Sequence, residues 1–178
     1  MGFVLLGLSA GTPEGFNGAM FQMFSHGVVT GAMFLLVGVL YDRAHTRDLA
    51  AFGGLGARMP VYAGFLVFFS LASLGLPGLS GFVGEFLSLL GAFGPWRWPT
   101  IVSVLGIVVS AAYMLMVLQR VLLGPLNEKW KSLPDLTPRE WLSLAPLLLV
   151  VLALGVYPLA LLRLQDASLR QLLAHLAR

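Results

Sequence analysis

Apolar residues run along this chain in blocks long enough to cross a lipid bilayer, separated by short polar stretches. Positions 1–10 are apolar but fall short of the roughly 20 residues that a crossing helix needs, and Gly11, Thr12 and Pro13 stop the run. Such a half-length helix points to a numbering that begins inside a longer polypeptide, of which the chain is a C-terminal portion. The block 17–41 is a full span, with Glu14 at its mouth and Asp42 and Arg43 closing it. A polar connector, 42–60, precedes an apolar block from 61 to 93 that is too long for one straight crossing. A tight turn at 94–99 carries the interfacial tryptophans Trp96 and Trp98, and a further span covers 100–123. The second connector ends in T-P-R-E at 137–140, a capping box with proline at the first helical position. This opens the last span, 141–162. In the tail, 163–178, Leu169, Leu172, Leu173 and Leu176 share a face while Arg170, His175 and Arg178 lie elsewhere. That pattern fits an amphipathic helix on the membrane or on a neighbour.

The expected architecture is therefore an all-α, polytopic membrane protein with about four full transmembrane helices and a partial N-terminal one. Its parts are the end of a truncated helix at 1–10, three crossings within 16–123, a last crossing within 139–162, and the amphipathic segment 163–178. One crossing, 61–93, is discontinuous. Its middle reads S-L-G-L-P-G-L-S-G-F-V-G-E-F at 73–86, with Pro77 among Gly75, Gly78, Gly81 and Gly84. Proline removes a backbone donor and clashes with the preceding turn, and clustered glycines weaken a helix further. Unwound backbone at membrane depth survives only where protein covers it or water reaches it.

Composition agrees. The chain has 178 residues, 58% hydrophobic and only 11% charged, with a mean hydropathy of +0.87. Soluble domains are about 25% charged, so too few polar groups exist here to cover a globule. The net charge of +3 comes from basic residues in short connectors and forms no basic face, which excludes nucleic-acid binding. Those residues read instead as a topology signal. Arg43, Arg47, Arg58, Arg120, Lys129, Lys131 and Arg139 outnumber the basic residues of the opposite side, placing both long connectors in the cytoplasm. No cysteine is present, so thiolate-held iron–sulfur or zinc sites are excluded in this chain.

Candidate chemistry concentrates at two residues. Glu85, just past the break, is the carboxylate at membrane depth, and ionisable groups there are costly and usually functional. The plainer alternative is a neutral, hydrogen-bonded packing acid. His26 falls near the middle of the first full span, on a polar stripe with Gln22, Ser25 and Thr30. A histidine can accept on one ring nitrogen and donate on the other, which suits a proton relay, although a lone histidine on an apolar helix is often a satisfied core group. Gly27 and Gly31 have the small-xxx-small spacing that lets another helix approach closely. Ser103, Ser110 and Tyr113 lie on one face of the span 100–123 and read as helix–helix hydrogen-bonding groups. His45 and His175 read as interfacial. No nucleophile–base or metal-ligand constellation is apparent.

S-H-G at 25–27, H-T-R-D at 45–48, G-G-L at 53–55 and above all L-A-S-L-G-L-P-G-L-S-G-F-V-G-E-F at 71–86 resemble the antiporter-like membrane subunits of the proton-pumping NADH:quinone oxidoreductase, respiratory complex I. The chain M branch is the nearest in wording, over most of 1–122. The resemblance implies inverted repeats, each with a broken helix and half of a proton channel. Glu85 matches the ionisable residue of the second broken helix, and His26 the channel histidine one helix earlier, so the resemblance implies that both are proton-transfer residues. The acid–lysine pair of the first repeat would precede this chain. The resemblance further implies no cofactor in this chain, with flavin, iron–sulfur clusters and quinone in partner subunits. Other complex I membrane subunits, including sister antiporter-like ones, would be its neighbours in a bacterial inner membrane. The competing expectations are a subunit of a multisubunit cation/proton antiporter or membrane-bound hydrogenase, which share the broken-helix module, and a structural membrane module without transport.

Overall fold

A computed structural model describes residues 1–176, except for the side chains at 170, 173, 174 and 176. Among the described residues the structure is built from helices and turns. The first helix, α1 (Gly2–Ser9), ends where Gly11 takes a left-handed turn (φ +64°). The next residue, Thr12, caps α2 (Pro13–Ala44) by accepting from Gly15 N–H at 3.1 Å. This helix is longer than the expected 17–41, because the cap and Pro13 start it early and only His45, in the left-handed conformation, stops it. Its 32 residues extend about 48 Å, well beyond the thickness of a hydrocarbon layer of about 30 Å.

The connector holds a 3-10 turn at Leu49–Ala51, capped by Asp48, and a short helical turn, α3 (Leu55–Arg58). The long apolar block then divides as its glycines and proline dictate, into α4 (Pro60–Ser73) and α5 (Ser80–Phe93). Between them lie 74–79, with Gly75 and Gly78 at φ +71° and +93°. The next helix, α6 (Arg97–Leu122), begins before the expected position 100, since Pro99 is tolerated in a first turn. The capping box forms as expected: Thr137 Oγ1 accepts from Glu140 N–H while Glu140 accepts from Thr137 N–H, opening α7 (Pro138–Val156).

One expectation is corrected here. The last crossing stops at Val156 rather than 162, because Pro158 forces Tyr157 out of the helical region (φ −128°, ψ 70°). The chain then turns into α8 (Leu159–Leu176), which packs against α2. Leu169 is buried there, whereas Leu172 is half exposed, so the expected apolar face is not uniform. Leu173, Leu176, Arg170 and Arg178 lie outside the described side chains. Beside Gly27 and Gly31 no atom of the described residues lies within 4 Å of a Cβ built there, so their small-residue spacing is not used within this chain. The close approach to α5 occurs elsewhere on α2, where a Cβ on Gly18 would fall on the backbone of Leu87 and Ser88.

Three helices, α2, α6 and α7, are each long and apolar enough to cross a membrane, and α4 and α5 are shorter apolar helices. The core runs along the face that α2 shares with α4 and α7, through Leu36, Leu55, Tyr62, Phe69, Leu144 and Val151, each almost wholly buried. At one end the two connectors pack on each other. Trp130 Nε1 and Asn127 Nδ2 both donate to Ala51 O, and Gly54 N–H donates to Leu123 O.

Candidate functional site: a polar cavity at the broken helix

Where α4 gives way to α5, a cavity of about 120 Å³ opens toward α2 and α6. Glu85 and His26 both line it, with Gln22 and Ser25 from α2 and Ser110 and Tyr113 from α6. At about 30 Å³ each, roughly four water molecules fit such a space.

Its geometry follows from the break. The unwound turn places Gly75 directly against the Glu85 carboxylate, so close that a Cβ there would collide with Oε2. No side chain among the described residues hydrogen-bonds or ion-pairs with Glu85, which leaves its oxygens to the cavity. His26 is half-buried one wall away, with the Thr30 hydroxyl 3.4 Å from either ring nitrogen, the outer limit of a hydrogen bond. The two residues thus face one space without touching through a direct hydrogen bond.

The polar stripe on α2 divides by role. Ser25 meets Ser80, on the first turn of α5, with 2.7 Å between hydroxyl oxygens, and both are fully buried. This bond ties the start of the acid-bearing half-helix to the histidine-bearing helix. Gln22 is buried against Gly84 with its side-chain oxygen unpartnered. Of the α6 groups, Ser110 and Tyr113 reach the cavity, whereas Ser103 donates back to Pro99 O on its own helix. His45 caps α2 and His175 is exposed, so neither enters the site. Among the described residues no three His, Asp or Glu converge as a metal site.

Two parts of the site were not legible from local pattern. Ser80 sits one residue past the unwound stretch, and nothing local says that its hydroxyl meets a residue 55 positions earlier. At the connector end, Arg43 forms a bidentate pair with Glu140, both N–O distances 2.8 Å, and also donates to Val39 O, Pro134 O and Asp135 O. Glu140 is recognisable in sequence only as a capping residue.

Comparison with known proteins places this arrangement. Residues 1–114 match the family model described as NADH:quinone oxidoreductase/Mrp antiporter, transmembrane. The chain is 52% identical over 159 residues to NADH-quinone oxidoreductase subunit M of Rhodobacter capsulatus, a match covering 89% of this chain and 31% of that protein. Subunit M of Rickettsia conorii is 43% identical over 174 residues, covering 97% of this chain and 35% of that protein. The chain thus spans about a third of the length of these relatives. Among solved structures, a chain of respiratory complex I from Thermus thermophilus with bound NADH superposes with a TM-score of 0.88 at 37% identity, covering 96% of this chain and 37% of that one. With its helices long and apolar enough to cross a bilayer, this integral membrane protein belongs to the NADH:quinone oxidoreductase/Mrp antiporter transmembrane family.

Proposed function

We propose that this chain forms part of a membrane subunit of respiratory complex I and supplies one half of a proton pathway, with Glu85 and His26 as its proton-transfer residues. The observation that carries the proposal is the Glu85 carboxylate, lying at a break in a crossing helix and facing a polar cavity that it shares with His26. Among the described residues no side chain bonds to the carboxylate, and water in the cavity links it to a ring that can take up one proton while releasing another. Proton transfer between Glu85 and His26 then runs through water, with Ser110 and Tyr113 as further hydroxyl partners. Glu85 alternates between its acid and its carboxylate as charge shifts elsewhere in the assembly.

Oxidation of NADH and reduction of quinone belong to partner chains that carry flavin and iron–sulfur clusters, and this chain takes part in them only as a translocase subunit. Its neighbours are the other membrane subunits of the complex, sister antiporter-like subunits among them, together with lipid. In the bacterial inner membrane the long connectors face the cytoplasm, as their excess of basic residues favours. The family description names Mrp antiporters as well; the likeness to subunit M sequences and to the Thermus structure supports the respiratory reading over that one.

The test is Glu85→Gln in the complete subunit, within the assembled complex. Proton pumping should fall while the amount of assembled complex is unchanged. Pumping equal to the parent's would overturn the proposal.

A further inference from the structure

The helix α4 begins without a cap of its own. Met59, at the cap position, offers no side-chain bond, and Pro60 has no N–H. The first two amides that need partners, Val61 N–H and Tyr62 N–H, both donate to the carboxylate of Asp135, at 2.9 and 3.0 Å. Asp135 comes from the turn that leads into α7, more than 70 positions away. The same turn is fastened on its other sides. Arg58 donates to Leu133 O, and Arg43 at the end of α2 donates to Pro134 O and Asp135 O while gripping Glu140.

The other end of α7 meets the same broken helix again. Gly155 lies on the unwound stretch, where a Cβ would collide with Gly78 O and with Leu79 Cα. No side chain larger than hydrogen fits between α7 and that backbone. Between the two attachments α7 buries Leu144 and Val151 in the common core. One continuous helix, with Pro146 in its interior, therefore spans the broken helix from its first turn to its interruption, held at both points.

The geometry points to α7, with the turn before it, as a splint for the broken helix, and to Asp135 and Gly155 as positioning residues for Glu85. An unwound stretch within a crossing helix has lost the hydrogen bonds that would hold its two halves in line. Asp135 sets where the first half starts, and Gly155 sets where the unwound turn lies. That turn carries Gly75, against which Glu85 rests. Neither positioning residue lines the cavity, so their influence runs through α4 and the turn. The pumping consequence rests on the function proposed for Glu85; the positional claim does not.

The test uses the assembled complex with Ser25→Cys and Ser80→Cys in this chain, whose 178 residues include no cysteine, and with any cysteine elsewhere in the subunit replaced by serine. The hydroxyls at these positions are 2.7 Å apart, so oxidation should cross-link α2 to the start of α5. Adding Asp135→Ala should slow that cross-link roughly fivefold, the change that corresponds to the ~1 kcal/mol of a lost helix cap. Adding Gly155→Ala should slow it as well. Glu128→Gln, which removes an exposed pair with Lys131 in the same connector, should leave it unchanged. Proton pumping, measured without the cysteines, should fall with the first two variants and not with the third. Where Asp135→Ala fails to assemble, Gly155→Ala and the milder Asp135→Asn carry the test. Cross-linking at the parental rate in the assembled variants would overturn the splint. Slowed cross-linking with undiminished pumping would support the splint and count against the role given to Glu85, so the two ideas fail separately.

Discussion

The Glu85 carboxylate occupies the place where a Cβ on Gly75 would stand, and Gly75 is the glycine that turns the chain out of α4 with φ +71°. The break in the helix and the position of the acid are thus one feature: the backbone that unwinds is the surface on which the side chain lies. A side chain on Gly75 would meet two obstacles, a left-handed backbone that costs an L-residue about 1–2 kcal/mol and the carboxylate itself.

These obstacles can be separated by a pair of variants. Gly78 has a similar positive φ of +93°, but nothing lies within 4 Å of a Cβ built there. Gly75→Ala and Gly78→Ala should therefore lower thermal stability by similar amounts, about 1–2 kcal/mol each. Only Gly75→Ala should also reduce proton pumping in the assembled complex, because only it displaces Glu85. Equal pumping in the two variants would contradict the contact.

The bond between Ser25 and Ser80 lends itself to a double-mutant cycle. Removing either hydroxyl leaves the other buried without a partner, at a cost of about 1–3 kcal/mol. Removing both should cost less than the sum of the two single changes. Thermal unfolding of the purified subunit complex in detergent, followed for Ser25→Ala, Ser80→Ala and the pair, reads the coupling. Strict additivity would mean that the two hydroxyls do not bond.

Arg43 offers a test of geometry rather than charge. It grips Glu140 with two nitrogens and three carbonyls besides, a pattern that a lysine ammonium cannot reproduce. Arg43→Ala should destabilise the subunit by roughly 2–3 kcal/mol, the scale of hydrogen bonds to charged groups. Arg43→Lys should recover little of that loss in thermal unfolding. Full recovery by lysine would reduce the pair to a simple charge contact.

Close packing at Gly18 predicts a further contrast. Gly18→Ala forces a Cβ into the backbone of Leu87 and Ser88 and should destabilise the subunit by about 1–3 kcal/mol. Gly94→Ala, with open space around it and an ordinary helical φ, should be neutral by the same unfolding measurement.

Much of this arrangement is legible in the sequence, and the limits have physical causes. The discontinuity at 73–86 can be read because proline and glycine act locally on the backbone. The capping box at 137–140 can be read because its partners lie within one turn. Glu85 stands out because a carboxylate in an apolar run is costly wherever it points. Features that depend on which faces meet are different in kind. Gly27 and Gly31 have the spacing for close packing, yet Gly18 on the same helix receives α5, and spacing alone does not choose between faces. Asp135 reads as an ordinary connector acid until α4 is found to start beside it. The end of α7 shows a local signal losing to a cruder one: apolar length carries the expected span to 162, while Pro158 ends the helix at Val156.

The central claim is that Glu85 gains and loses a proton during turnover. Infrared difference spectra of the assembled complex, recorded while NADH drives quinone reduction, report this directly through the protonated-carboxyl stretch. A band should change with turnover and vanish in Glu85→Gln. A spectrum with no such band, from a complex that still pumps protons, would contradict it.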